Sequence, residues 1–514
     1  MFAPTAPALP APSLHELLQR RAQERPDAIA LDHLDPASGA RGILSYRELL
    51  ALADRLTAGL VAHGVVRGDR VAWLGLNHPL QIAALFALGR LGAVLVPLNH
   101  RLAAAEWTAV LADCTPRLLV HDAGFAEAAR ALGVSGRPSV VPQDTLSAAD
   151  AKHKMPASTA NALAEPALLV YTSGTTGTPK AAVHTQGNLL ANMAMAAQVQ
   201  GMTADDTVLT VLPLFHVGGL CIQTLPALSV GARVLLHTRF DPTATLRAIA
   251  QDRPSLTLQV PATLQALTAH AEWARTDLSC LRTVWAGSSV LPPEPLQAFM
   301  ARGVPVSNVY GSTETGPFSI ALPPDWSASH IGSCGWPAPG VEIRLLDPQG
   351  TPVAPGHVGE ICVRAPNVVT TYWPDKPALD AEGFFHSGDL AQQATDGSYS
   401  VVGRAKDMII SGGENIYPAE IENLIATHPA VAECSVVGQA DTRWGEVAVA
   451  VVVLRDPQTA DEDWEAPLRA FLDGRLARYK WPRRWVRLDT LPRTALGKVQ
   501  KAELARQLRS LTSS

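Results

Sequence analysis

Ten consecutive residues, Tyr171-Thr172-Ser173-Gly174-Thr175-Thr176-Gly177-Thr178-Pro179-Lys180, bring together five Ser/Thr hydroxyls, two glycines and one cation. Glycines let the backbone turn so that successive N–H groups converge on an anion. The hydroxyls add short donors and Lys180 adds positive charge, a composition that suits a polyphosphate. It is not the Gly-x-x-x-x-Gly-Lys-[Ser/Thr] phosphate loop, because Pro179 precedes the lysine and Ala181 follows it. By composition alone, a plain Ser/Thr/Gly surface loop explains the run as well.

A second segment, Tyr310-Gly311-Ser312-Thr313-Glu314-Thr315, follows an apolar strand at Val306–Val309. A tyrosine ring can stack on adenine, Thr313 can reach an α-phosphate, and the Glu314 carboxylate suits Mg²⁺, which prefers hard oxygen ligands beside phosphates. Further short segments are weaker alone. They are Leu212-Pro213-Leu214-Phe215-His216-Val217-Gly218-Gly219, Trp285-Ala286-Gly287-Ser288-Ser289, Ser387-Gly388-Asp389 and Gly403-Arg404-Ala405-Lys406-Asp407. Two more lie near the end: Ser411-Gly412-Gly413-Glu414-Asn415-Ile416-Tyr417-Pro418 and Arg493-Thr494-Ala495-Leu496-Gly497-Lys498. Read singly, they are a core histidine, ordinary turns and a solvated lysine.

In this order the segments resemble the signatures of the adenylate-forming enzymes: acyl- and aryl-CoA synthetases, firefly-type luciferases and nonribosomal adenylation domains. The resemblance spans roughly Leu14 to Leu504 and departs at Ala181, where many members carry glycine. It implies an ATP site of Thr172, Ser173, Gly174, Thr175, Thr176, Gly177, Lys180, Gly287, Ser288, Tyr310, Gly311, Thr313, Asp389, Arg404 and Lys498. In that site Asp389 takes the ribose hydroxyls, and Thr176 and Glu314 hold Mg²⁺. Lys498, His216, Thr176 and Glu314 become the catalytic set. His216, Val217, Gly218, Ala286, Val309 and Gly311 line the acyl pocket, with Trp285 narrowing it. Gly412, Gly413, Trp444, Tyr479, Trp481 and Arg483 face coenzyme A, and Lys406 is the hinge.

The implied chemistry needs these parts. A carboxylate is a poor electrophile and repels the triphosphate it must attack. The phosphates must be neutralised, and the oxygen must be aligned with the α-phosphorus. One site then serves two reactions if a hinge swings Lys498 out and the Gly412–Gly413 loop in. Between Arg475 and Lys501 nine basic residues face one acid, Asp489, a balance that suits a phosphorylated nucleotide such as CoA or an ordinary solvated face.

The elements that position these residues alternate between helical and strand patterns from Leu14 to Val309. Leu14–Glu24 has helical spacing, and Ser45 with Glu48 makes a capping box ahead of Leu49–His63. Strand patterns at Arg70–Leu74, Ala93–Val96, Val208–Leu212, Ala232–His237 and Thr283–Trp285 each adjoin a helical segment, which predicts parallel sheets. After Gly340 short β runs follow, and from Met408 helices (Pro418–Thr427, Pro467–Ala477) mix with apolar strands. The expected fold is α/β. It has a large N-terminal domain (1–403) of parallel-sheet subdomains with a β-barrel-like part, a hinge (404–406), and a small mobile α+β C-terminal domain (407–514).

Composition narrows the partners. The 514 residues carry net charge −5, with 47% apolar residues, which fits a globular chain and gives no case for nucleic acid. Six scattered cysteines form no Cys-x-x-Cys pair, and no signal-peptide pattern opens the chain. The most apolar stretch, Ile82–Leu98, is broken by Arg90 and Pro97 and is too short to span a bilayer. The expectation is a cytoplasmic ligase using ATP, Mg²⁺ and coenzyme A on a small carboxylic acid. No integral membrane segment is expected, and the assembly to look for is a homodimer. The rivals are an amino-acid adenylation domain or a carrier-protein loading enzyme, a luciferase-like oxygenase, and a non-catalytic nucleotide binder. His216 stands where adenylation domains usually place an aspartate to pair an ammonium, which favours an acid without an α-amine. A fatty chain and an aromatic acid both fit, with a lean to aliphatic acids.

Overall fold

The structure is a computed structural model. It describes all residues except 1, 3–4, 134–138, 149–160, 173–179, 288–290, 292, 412–413, 442, 457–463, 495–497 and 513–514. Two large sheets dominate. One has nine strands, of which Val306–Tyr310, Thr283–Gly287, Leu256–Gln259, Thr207–Thr210, Arg233–His237 and Ile29–Leu34 run parallel. The other has eight, with Pro166–Thr172, Val94–Pro97, Arg70–Leu74, Leu118–His121 and Ser139–Pro142 parallel. Antiparallel strands close the edges, including Lys180–Thr185 beside Pro166–Thr172. The expected alternation is therefore present; a hairpin between Ile29–Leu34 and Arg41–Ser45 went unread.

The main core lies between the two sheets. Val71, Trp73 and Leu95 from one and Val208, Leu235 and Trp285 from the other share a single cluster with Leu85 and Leu88. Helix Pro79–Leu91 runs through it, and every residue except Arg90 is buried. A helix that is apolar all round must be wrapped by protein, so the apolar stretch after Ile82 is core. No described helix is long and apolar enough to cross a membrane. The capping box forms as expected: Ser45 Oγ accepts from the Glu48 N–H, and Ser45 N donates to Glu48 Oε2 at 2.7 Å.

A four-stranded antiparallel sheet follows, built from Glu342–Leu346, Val358–Arg364, Phe385–Gln393 and Tyr399–Arg404. Ile361, Val363, Phe385 and Tyr399 form its core. Beyond a 3₁₀ turn at Ala405–Asp407 lies a five-stranded sheet with helices Pro418–Ala426, Glu465–Leu472 and Lys501–Thr512. The helix expected over Pro467–Ala477 stops at Leu472: Asp473 turns extended and Gly474 takes φ +71°, which favours glycine. One ion pair, Arg455 Nη2 to Glu294 Oε1 at 2.8 Å, reaches from this last unit to the first.

Six histidines sit where desolvation is the largest influence on their imidazoles. The pKa values of His15, His78, His100, His184, His216 and His237 fall from 6.5 to about 4. Between those values the unfolded chain binds protons that the folded chain refuses, so stability is present above pH 6.5 and is lost as pH falls toward 4. Thermal melts from pH 7 to 4 should show a steadily falling Tm with proton uptake on unfolding. A flat Tm over that interval would contradict the buried, neutral assignment.

Candidate functional site

Chemistry-bearing residues stand at the C-terminal ends of parallel strands, where open α/β sheets place ligands. Thr172, Gly287 and Tyr310 each end a strand. Thr172 lies opposite Lys180 in the antiparallel register, and its Oγ1 donates to the Lys180 carbonyl at 3.3 Å. These two residues bracket the hydroxyl-rich loop. Ser173, Gly174, Thr175, Thr176 and Gly177 of that loop, with Ser288, Gly412 and Gly413, lie outside the described residues.

Contacts then cross from sheet to sheet. The Lys180 ammonium lies 5.7 Å from the ring centroid of Tyr372, whose hydroxyl donates to Glu314 Oε1 at 2.9 Å. Glu314 sits in the 3₁₀ turn Thr313–Thr315, directly after Tyr310 and Gly311. Gly311 is obligatory, because a Cβ there would lie 1.8 Å from the Pro317 carbonyl oxygen. Tyr310 in turn donates its hydroxyl to Asp389 Oδ2 at 2.9 Å, and Arg404 Nε meets Asp389 Oδ1 at 2.8 Å. Burial first, then the neighbouring Asp389 charge, pushes the Tyr310 phenol well above its ordinary value, so it stays a donor. A bulge aims Asp389. Register with Val358–Arg364 shifts between Glu360 and Cys362, Gly388 takes φ +70°, and Ser387 Oγ both donates to Ile361 O and accepts from Asp389 N.

Lys498 joins this set to His216. It is exposed to solvent, yet its pKa is lowered first by desolvation and next by Arg404, against the pull of Asp389. His216 is neutral, its pKa near 4 from desolvation first, then Lys498 and Arg101. A lysine near the C-terminal end thus shares one electrostatic neighbourhood with a histidine, an aspartate and an arginine from two other sheets. His216 precedes the short helix Val217–Gly219, where a Cβ on Gly219 would lie 2.2 Å from Pro213 O, whereas one on Gly218 would meet nothing within 4 Å.

Strand register and backbone crowding bear on the residues expected around the acyl group. Ala286 pairs with Asn308 and Gly287 with Val309 in register, so Ala286 and Val309 point to opposite faces of their sheet. Trp285, fully buried and 6.1 Å from the Phe318 ring, shares the Val309 face. Small size at Gly287 and Gly311 also reflects crowding by backbone oxygens rather than room for substrate. In the C-terminal domain, Arg483 stacks on Trp444 at 4.2 Å. The Trp481 indole N–H is spent on Leu476 O at 2.9 Å, and Tyr479 stands exposed beside Lys480. The contacts of these four residues run within that domain. Lys406 is exposed in the turn Ala405–Asp407. Sequence reasoning missed Tyr372, Glu360 and Arg101, which carry no motif of their own and matter only through what they touch.

The model of the AMP-binding enzyme family matches residues 18–373, and that of the AMP-binding enzyme C-terminal domain matches 420–498. The chain belongs to the AMP-binding enzyme family. An indoleacetate–CoA ligase of Aromatoleum aromaticum is 45% identical over 90% of this chain and 93% of its own length. A feruloyl-CoA synthase of an Amycolatopsis species is 44% identical over 95% and 97%. Among solved structures, the o-succinylbenzoate CoA synthetase of Bacillus subtilis with its acyl-adenylate has TM-score 0.85 at 32% identity, covering 95% of this chain and 97% of that one. The same enzyme has been solved with ATP and magnesium (TM-score 0.84, 32% identity, 95% and 98% covered). Within its family the chain is an ATP-dependent, AMP-forming acid–CoA ligase that uses ATP, Mg²⁺ and CoA.

The site fits those groups. Glu314, held by Tyr372, offers a hard oxygen to Mg²⁺ beside Lys180, and Asp389 offers an anchored carboxylate to a ribose. The proximity of Lys498 to His216 has a direct check. Lys498→Gln removes a positive charge and should raise the His216 pKa above 4, while burial keeps it below 6.5. Histidine-selective NMR titration reads this shift, and an unmoved His216 would separate the two residues.

Proposed function

We propose that this chain activates an aromatic carboxylic acid as its adenylate and passes the acyl group to CoA. Support for the aromatic class comes from the relatives above 40% identity, an indoleacetate–CoA ligase and two feruloyl-CoA synthases, all named for aryl acids. The lean toward aliphatic acids is given up on that ground. The observation that carries the reading is the run of contacts Lys180–Tyr372–Glu314 and Tyr310–Asp389–Arg404, with Lys498 coupled to its Asp389 end and to His216.

In the first step a carboxylate oxygen attacks the α-phosphorus and the bond to pyrophosphate breaks. Lys498 offsets charge between carboxylate and α-phosphate, Lys180 and the Thr172–Gly177 loop hold the leaving phosphates, and Asp389 fixes the ribose. Mg²⁺ bound at Glu314 and Thr176 supplies charge neutralisation on the phosphates. Neutral His216 lines the carboxylate without adding a proton-bearing cation beside Lys498. In the second step the CoA sulfur attacks the acyl carbon, its proton is lost, and AMP leaves. For that step residues 407–514 turn about 404–406, bringing Gly412 and Gly413 to the site, with the Trp444–Arg483 stack toward CoA. We further place the enzyme in the cytoplasm, in keeping with six unpaired cysteines, and take a homodimer as its assembly.

Two outcomes test this. Given ATP, Mg²⁺ and CoA, the protein should release AMP, with higher kcat/KM on indoleacetate or ferulate than on saturated acids of equal carbon number. ADP release would refute the reaction class, and a preference for saturated acids would refute the substrate class. Lys498→Ala should abolish acid-dependent pyrophosphate exchange yet spare thioester formation from supplied adenylate. Lys406→Pro, by fixing φ, should impair the thioester step most, and equal loss of both half-reactions in either variant would count against the division.

A further inference from the structure

The bulge that aims Asp389 is bordered by a second group of chemistry-bearing side chains that adenylation does not use. Cys362 lies directly opposite His386 in the antiparallel register, and Glu360 lies two residues before Cys362 on the same strand. His386 Nδ1 is 3.0 Å from Glu360 Oε2 and 3.4 Å from Cys362 Sγ. One ligand atom from each of the three lies within 4.8 Å of the others. The other imidazole nitrogen, Nε2, is 3.2 Å from Asp380 Oδ2. A carboxylate on the far nitrogen orients the ring, as it does for metal-bound histidines, and once the Nδ1 proton is released the near nitrogen offers its lone pair. The set of thiol, imidazole and carboxylate suits a borderline cation more than Mg²⁺. Cys362 is fully buried while the His386 side chain is 43% exposed, so the group has a dry floor and an open side.

We propose that Glu360, Cys362 and His386 form a binding site for a borderline divalent cation such as Zn²⁺, with solvent as the remaining ligand and Asp380 orienting His386. On binding, the Cys362 S–H and His386 Nδ1–H bonds break and both protons go to solvent; no electron is transferred. Glu360 links this site to the nucleotide site, because its second oxygen, Oε1, accepts the Gly388 N–H at 2.9 Å, one residue before Asp389. Co²⁺ added to the full-length, metal-free protein tests the site. One equivalent should produce a thiolate-to-cobalt charge-transfer band that survives excess Mg²⁺ and is displaced by Zn²⁺. Cys362→Ser should lose the band, and Asp380→Asn should weaken binding by on the order of tenfold. No band in the unsubstituted protein, or a band retained in Cys362→Ser, would overturn the proposal. His386→Gln gives an independent check, since unchanged Co²⁺ affinity in that folded variant would overturn it as well.

Discussion

Asp389 is a carboxylate with 8% of its surface exposed, held between a phenol that donates to it and a guanidinium that pairs with it. An unpaired charge at that depth would be costly, and removing Arg404 would leave it without its ion-pair partner. The three residues come from two different sheets, so the pairing fixes how the nine-stranded and four-stranded sheets meet. The Lys498 ammonium feels the charges of Arg404 and Asp389, and His216 in turn feels Lys498. The electrostatics of the site are thus one coupled system rather than separate motifs.

Two kinds of glycine serve this system. Gly388, at φ +70°, opens the bulge that turns Asp389 toward Tyr310. Gly219, Gly287 and Gly311 have no special conformation but lie against backbone oxygens that any side chain would strike. The second kind lets strands and turns approach closely at the strand ends where a nucleotide must lie. A glycine in a motif can therefore mean close packing of the protein on itself, not space for a ligand, whereas a Cβ on Gly218 would meet nothing within 4 Å.

The C-terminal unit has its own core of Ile409, Ile421, Val436, Ala450 and Leu472. It joins the rest through an exposed turn at Ala405–Asp407.

The sequence by itself determined the local elements and the chemical inventory. Helix Leu14–Glu24, strand Arg70–Leu74 and the Ser45–Glu48 capping box were legible because periodicity and caps are properties of neighbouring residues. The hydroxyl-rich loop, the Tyr310–Thr315 segment and Lys498 stood out through their ordered resemblance to the adenylate-forming enzymes, because residue type alone leaves each an ordinary loop, turn or solvated charge. Only the tertiary structure decided which of them meet. That Tyr372 steadies Glu314, that Glu360 caps the Gly388 turn, and that Ala286 and Val309 face opposite ways follow from strand register and from sheets brought together by burial. Those contacts span dozens of residues, and no short-range pattern encodes them.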